Sequence, residues 1–208
     1  MQPAMPARQR LQPEVRARQI LDAALVVFAE HGYIAARMDD IARRCGLSKG
    51  GLYAHFSSKE AVFEALMTRA LTPPDLEDLR PARPLAPQLL AAWLVDRLHA
   101  LLANPATLAT MRLLVAESER VPHLAALWHA NVVQPHLAQL GDILRESAAA
   151  RGEPASLLAR EPWLAIAPAV HLMLMQLVLG PRPAADIARA RDVHVALICE
   201  LLERPLHL

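Results

Sequence analysis

The sequence predicts an all-α protein: a three-helix, helix-turn-helix head followed by a larger helical body, about nine helices in all. Three observations carry that expectation. Seventeen prolines in 208 residues punctuate the chain into segments, since proline cannot continue a helix without losing a hydrogen bond. Between them apolar residues recur three and four apart, the period of one helical face. Only 4% of the residues are aromatic, and few runs are rich in Val, Ile, Thr and Tyr, which argues against strands.

Residues 1–12 read as a flexible basic arm. Pro13 and Glu14 suit a helix start, where the missing N–H is harmless and an acid meets the positive end of the dipole. Ile20, Leu21, Ala24, Leu25 and Phe28 then form one apolar stripe, and Gly32 ends the helix. A short helix is expected from about Met38 to Cys45, with a turn at Gly46 and Leu47. Ser48 is placed to cap a third helix, Lys49 to His55. Ser57-Ser58-Lys59-Glu60 has capping-box spacing and opens a fourth, reaching about Ala70.

Four prolines within 72–84 mark a boundary between residues 13–71, the head, and 72–208, the body. Five further helices are expected, near 85–103, 105–119, 122–150, 162–179 and 185–203. Pro135 and Pro168 fall inside helical patterns and predict kinks.

The charge is distributed unevenly. Residues 1–72 hold ten Lys and Arg against seven Asp and Glu, and the remainder twelve against fourteen. A mildly basic head on a neutral-to-acidic body has the right sign for a nucleic-acid reader. Cys45 and Cys199 suggest no disulfide framework and fit a reducing, cytoplasmic setting. No apolar leader is visible at the N-terminus. The longest apolar run, Trp163 to Gly180, contains Pro168, His171 and Gln176 and reads as a buried or interface helix, not a membrane span.

Two short helices joined by a glycine turn make a helix-turn-helix, whose second helix enters the major groove. Its expected core is Ile41, Ala42, Leu47, Leu52 and Phe56. The outward face of the second helix is Lys49, Gly50, Gly51, Tyr53 and His55. Adjacent glycines near a helix start cost about 1 kcal/mol each against alanine; close approach of another surface is one reason to accept that. Lys49, Tyr53 and His55 can reach phosphates or base edges. The only two lysines of the chain, Lys49 and Lys59, both lie here, and Lys59 is placed to clamp the DNA backbone.

The run Gly46-Leu47-Ser48-Lys49-Gly50-Gly51-Leu52-Tyr53-Ala54-His55-Phe56, with Lys59 and Glu60 after it and Ile20, Phe28, Gly32, Tyr33, Ile41 and Ala42 before it, resembles the TetR/AcrR transcriptional regulators. Looser similarity continues at Arg112 to Leu124 and Arg145 to Gly152. The resemblance implies DNA contacts at Lys49, Gly50, Tyr53 and His55, and a phosphate contact at Lys59. It implies a repressor acting as a homodimer on a palindromic double-stranded DNA operator, released by a small-molecule effector. Arg37, Arg44, Ser48 and Gly51 complete the expected DNA-binding set. One departure stands out. Where the family carries Thr or Ser pairs before the second helix, this chain has Ala36 and Arg37, so a side-chain cap is missing and Arg37 offers a charged contact instead.

In the body, Trp93, Met111, Trp128, His129, His171 and Met175 are the candidate effector-pocket residues, and their character suggests a hydrophobic or aromatic effector. The last two helices are the expected dimer interface, through Leu172, Met173, Leu177, Val195, Ile198 and Leu202, because a helix apolar on every side needs cover on every side. His123, His129 and His136 do not stack on one face, so no metal is expected. Nor is any cofactor, and no nucleophile–base pair or phosphate-binding loop suggests an enzyme.

Overall fold

The computed structural model describes residues 12–72, 76 and 86–203. Most of the arm and linker expected at 1–12 and 72–84 lies outside the described residues. The chain divides into two compact units between Leu66 and Met67. The division falls within a helix and not in the proline-rich stretch that follows it.

In the first unit, α1 spans Pro13–Ala35, α2 Met38–Arg44, α3 Lys49–Tyr53, and α4 starts this unit's last element at Lys59 and runs to Leu71. Pro13 and Glu14 occupy the first turn of α1 as expected. Gly32 has φ 75°, a left-handed value that breaks α1 before its last three residues and turns Tyr33 inward. Tyr33 packs with Phe28 and Phe63, ring centroids 4.9–5.8 Å apart. Around these rings lie the fully buried Ile20, Ala24, Ile41, Leu52, Val62 and Leu66. Ile41, Ala42 and Leu52 of the expected helix-turn-helix core are buried, whereas Leu47 and Phe56 are partly covered.

The expected capping box is not formed as read. Ser58, not Ser57, caps α4, its Oγ accepting from the Ala61 N–H at 3.1 Å. Glu60 therefore sits in the first turn, one place too early to reach back to the cap.

Lys59 departs from expectation more consequentially. Its ammonium donates to the carbonyls of Tyr33, Ile34 and Ala36 at 2.7, 3.0 and 2.9 Å and lies 4.6 Å from the centre of the Tyr33 ring. These carbonyls belong to the frayed end of α1 and the link to α2, where helix carbonyls lack intrahelical partners. A lysine has three protons to give, and these three carbonyls accept from it, so Lys59 ties the start of α4 to the end of α1 and the link into α2. The Tyr33 hydroxyl, buried and near Glu60, has its pKa pushed up to about 12.

In the second unit, α5 spans Pro87–Ala103, α6 Pro105–Glu117, α7 Pro122–Trp128, α8 Gln134–Ala150, α9 Leu157–Arg160, α10 Ala167–Leu179 and α11 Ala184–Glu203. The helix expected over 122–150 is continuous but contains a π-turn, His129–Val133. Pro135 follows it directly. A proline there cannot donate to the carbonyl four residues back, and the chain widens by one residue where a kink was expected. Pro168 does not kink a helix either. Pro162–Ala165 forms a 3-10 turn, and Pro168 lies in the first turn of α10, where proline is tolerated. The four-residue α9, capped by Ser156, had no counterpart in the sequence reading.

α5 and α11 pack on each other through a continuous core that includes Leu90, Leu94, Val95, Leu98, Ile198 and Leu202. His194, 1% exposed, is buried within this contact. Its Nε2 lies 3.0 Å from the Ala165 carbonyl and must donate there. Its Nδ1, 3.4 Å from His99 Nε2, then accepts, which requires neutral His194. Burial is the first cause holding both imidazoles below the ordinary histidine value. Nearby, Arg191 bridges to Asp96 at 2.6 Å, and that bond holds the Asp96 carboxyl below its usual range.

Two predictions follow from these contacts. Lys59→Met keeps the aliphatic stem but removes three charge-assisted bonds, and should lower unfolding free energy by about 2 kcal/mol, read by urea denaturation. Lys59→Arg should rescue it only partly, because a planar guanidinium cannot match three converging carbonyls. The histidine pair makes the native state bind fewer protons than the unfolded chain. Its stability contribution is therefore complete above about pH 6.5 and falls as pH drops through that value. His99→Gln should flatten this acid slope in melts recorded from pH 8 to 5; an unchanged slope would refute the assignment.

Candidate nucleic-acid interface and effector cavity

Ser48 shapes the start of α3. Its extended backbone ends the turn after Gly46, which has φ 68°, and its Oγ accepts from the Gly51 N–H at 3.1 Å. A β-carbon at Gly51 would lie 3.2 Å from that oxygen, so glycine there makes room for the cap. At Gly50 a β-carbon would meet nothing within 4 Å. The fold of the chain itself does not ask for glycine at this position.

The third helix stops at Tyr53, two residues short of expectation, so His55 lies in the turn after it, and Gly51 of the expected outward set is partly covered. Lys49, Gly50, Tyr53 and His55 are all exposed, with the Tyr53 ring 43% accessible. Lys49 pairs with Asp39 at 3.2 Å and Arg44 with Glu30 at 3.0 Å. Both pairs are solvent-exposed, and such pairs contribute at most about 1 kcal/mol, so either cation can exchange its partner for a phosphate at small cost. Arg37 is the residue before α2 and makes no side-chain cap. Asp39 and Asp40 in the first turn of α2 take over the favourable dipole interaction. Arg37, Asp39, Lys49, Tyr53, Ser57 and Lys59 rim one open depression of about 380 Å³. Of the expected set, Arg37, Lys49 and Tyr53 are thus brought together at this depression, Arg44, Ser48, Gly50 and His55 are exposed elsewhere on or beside the two short helices and Gly51 is partly covered, and the Lys59 ammonium donates to backbone carbonyls.

In the second unit a cavity of about 130 Å³ is lined by Leu98, Met111, Trp128, Val133, His136 and Met173, among others. The expected set is only partly gathered there. Met111 and Trp128 line it; Trp93, His129, His171 and Met175 do not. The Trp93 ring stacks under the Arg97 guanidinium at 4.5 Å. His129 is exposed in the π-turn, its ring 3.4 Å from the Gln134 amide. His171 and Met175 line an open groove along α10 and α11. Sequence reasoning missed Thr107, Val133 and His136. The π-turn determines which side of α8 meets the cavity, and nothing short of the fold reveals that.

The expected dimer residues need correction as well. Met173, Ile198 and Leu202 are buried in the core of their own subunit, and Leu177 and Val195 pack against it. Leu172 lines the α10–α11 groove. Besides Leu179 at the end of α10, the large apolar side chains that α10 and α11 leave uncovered are Val170, Leu174, Val178, Val193 and Leu197, with Val178 67% and Val193 61% exposed. They recur four apart on each helix and form outward stripes. Among the described residues no three His, Cys, Asp or Glu side chains converge where a metal ion could sit. No single described helix is long and apolar enough to cross a membrane.

Comparison with known proteins supports both halves. Residues 20–66 match the family described as bacterial regulatory proteins, tetR family. Residues 90–183 match the AefR-like transcriptional repressor C-terminal domain. Over 60 residues the chain is 50% identical to the HTH-type transcriptional activator FasR of Mycolicibacterium smegmatis, covering 29% of this chain and 27% of FasR. Curated relatives are matched over less than half of their length. Solved structures match almost throughout. Salmonella enterica GusR shares 26% identity at a TM-score of 0.63, covering 94% of this chain and 97% of GusR. The flavonoid-responsive regulator FrrA shares the fold at 23% identity and a TM-score of 0.65, covering 90% and 96%. With a capped reading helix at its N-terminal end and family matches on both sides of the proline-rich stretch, this chain belongs to the TetR family of transcriptional regulators.

Proposed function

We propose that the chain is a cytoplasmic repressor that binds a palindromic DNA operator as a homodimer and is released by a small apolar effector. The carrying observation is the outward face of α3: a capped helix start with Lys49, Tyr53 and His55 exposed beside a glycine that the fold does not require. Gly50 lets a DNA backbone approach the first turn of α3, whose N–H groups suit a phosphate. Ser48 still has a hydroxyl proton to donate, and Arg37 and Arg44 extend the cationic surface along α2. The stripes on α10 and α11 supply a self-complementary surface for a two-fold dimer, which places two reading helices on successive major grooves about 34 Å apart.

The effector acts by population shift, binding better to a state whose heads do not fit those grooves. α4 is the element suited to carry it. Lys59 ties its first turn to the head, Thr107 Oγ donates to the Ala70 carbonyl in its last turn at 2.9 Å, and Leu71 lines the effector cavity. The name of FrrA, a flavonoid-responsive regulator, agrees with an aromatic effector for this fold.

A gel shift on the DNA flanking the gene tests the reading. Lys49→Ala with Tyr53→Ala should weaken operator binding by about ten- to a hundredfold and leave the dimer intact; unchanged affinity would overturn the assignment. Gly50→Ala should raise stability by up to about 1 kcal/mol while weakening DNA binding, two effects of opposite sign that a purely structural glycine would not give. Val178→Glu with Val193→Glu should convert the dimer to monomers in light scattering. Ile198, buried in the subunit core, is the control: Ile198→Ala should cost about 3 kcal/mol of stability.

A further inference from the structure

The groove between α10 and α11 has a volume of about 800 Å³ and reaches His99 of α5. Val193 and Leu197 line it, and both belong to the uncovered stripe of α11. The groove is therefore continuous with the surface offered to a second copy of the chain. Three histidines also line it, His99 from α5, His171 from α10 and His194 from α11.

The bonds between two of these rings dictate where a proton can go. His194 Nε2 carries the proton given to the Ala165 carbonyl at 3.0 Å. Its Nδ1 then accepts from His99 Nε2 at 3.4 Å. A neutral imidazole has one donor and one acceptor nitrogen, so both nitrogens of His194 are committed. His99 has likewise given its one proton. The nitrogen of this pair that can take a further proton without breaking either bond is His99 Nδ1, on a ring that lines the groove.

The charges facing that ring do little to hold a cation there. From α5 Asp96 favours it and from α11 Arg191 opposes it, and these two are bonded to each other at 2.6 Å. Along the groove stand Arg189 and Arg182, the latter paired with Asp186 at 3.2 Å. His171 adds a further positive charge when protonated. The turn Pro162–Ala165 contributes the Ala165 carbonyl, already bonded to His194.

We propose that dimerisation, on the reading of α10 and α11 given above, is proton-linked: the dimer forms with His99 neutral, and a proton on His99 Nδ1 drives it apart. A second copy laid over the groove strips water from His99, and a charged ring whose neighbouring carboxylate is already held by an arginine is costly to desolvate. Two-fold symmetry doubles the effect, because each subunit brings the same histidine and the same arginines. The monomer thus binds protons that the dimer excludes, and falling pH favours the monomer. One reading head holds an operator less tightly than two, so acid becomes a release signal that needs no effector.

Sedimentation equilibrium of the full-length protein without DNA, from pH 7.5 to 5.5 at constant ionic strength, tests this. Circular dichroism of the same samples follows the fold. The dimer Kd should rise about tenfold over that range while helicity is retained. His99→Gln keeps an amide N–H for His194 but cannot take the proton. It should cut the rise to about threefold with a neutral-pH Kd close to that of the unaltered protein, and His171→Gln added to it should remove the remainder. A Kd that stays constant or falls on acidification would overturn the proposal and leave the dimer standing. So would a rise that survives His99→Gln unchanged, or one that tracks loss of helix. A monomer at every pH would overturn the dimer reading together with this one.

Discussion

The head is organised around one ammonium group. Lys59 gathers the carbonyls of Tyr33, Ile34 and Ala36, which belong to the end of α1 and the link into α2, and it does so from the first turn of α4. The end of α1, the link into α2 and the start of α4 are thereby tied together at one point, in addition to the exposed Arg44–Glu30 pair that joins α2 to α1. The rest of the head depends on this register. Tyr33 can complete the cluster with Phe28 and Phe63 only when Gly32 turns the chain inward and Lys59 holds it there. Ile41 of α2 and Leu52 of α3 are fully buried, and that burial fixes the two short helices in the core of the head. A tetrahedral ammonium with three protons fits three converging acceptors, and a guanidinium does not. That explains why an arginine-rich chain keeps a lysine here.

Much of this architecture was legible beforehand. Pro13, Gly32, Gly46, Ser48 and the proline breaks each act locally, and local physics reads directly from residue type. The exposure of Lys49, Gly50 and Tyr53 was legible because Leu52 is the one large apolar side chain of α3 that must be buried. Arg37 at the entry to α2 was equally visible as the missing cap.

The misreadings share a cause. Lys59 was assigned by its neighbours in sequence, but its partners lie on α1, more than twenty residues away. Ser57 and Ser58 could each cap α4, and a one-residue choice between them is settled by packing. For α10 and α11, composition shows that the helices are apolar but not which apolar side faces the subunit's own core. Met173, Ile198 and Leu202 are as hydrophobic as Leu174, Val178 and Val193, and only the placement of α5 separates the two groups. The lining of the second unit's cavity was only partly anticipated for a related reason: Met111 and Trp128 stand out by residue type, while His136 and Val133 enter through backbone geometry.

The π-turn at His129–Val133 reaches beyond the cavity it borders. Leu124, Trp128, Val132, His136, Leu140, Leu144 and Ala148 recur at every fourth position, and all are buried or half-buried. In an unbroken α-helix of 3.6 residues per turn such a series winds steadily around the axis and would carry its far end out to solvent. One widened turn takes back part of that winding. The π-turn is geometrically equivalent to one extra residue accommodated inside a helix, and the fourth-residue spacing of the buried side chains matches it. Deleting a single residue from 129–133 would restore regular backbone geometry and at the same time rotate every later side chain of α8 away from its neighbours.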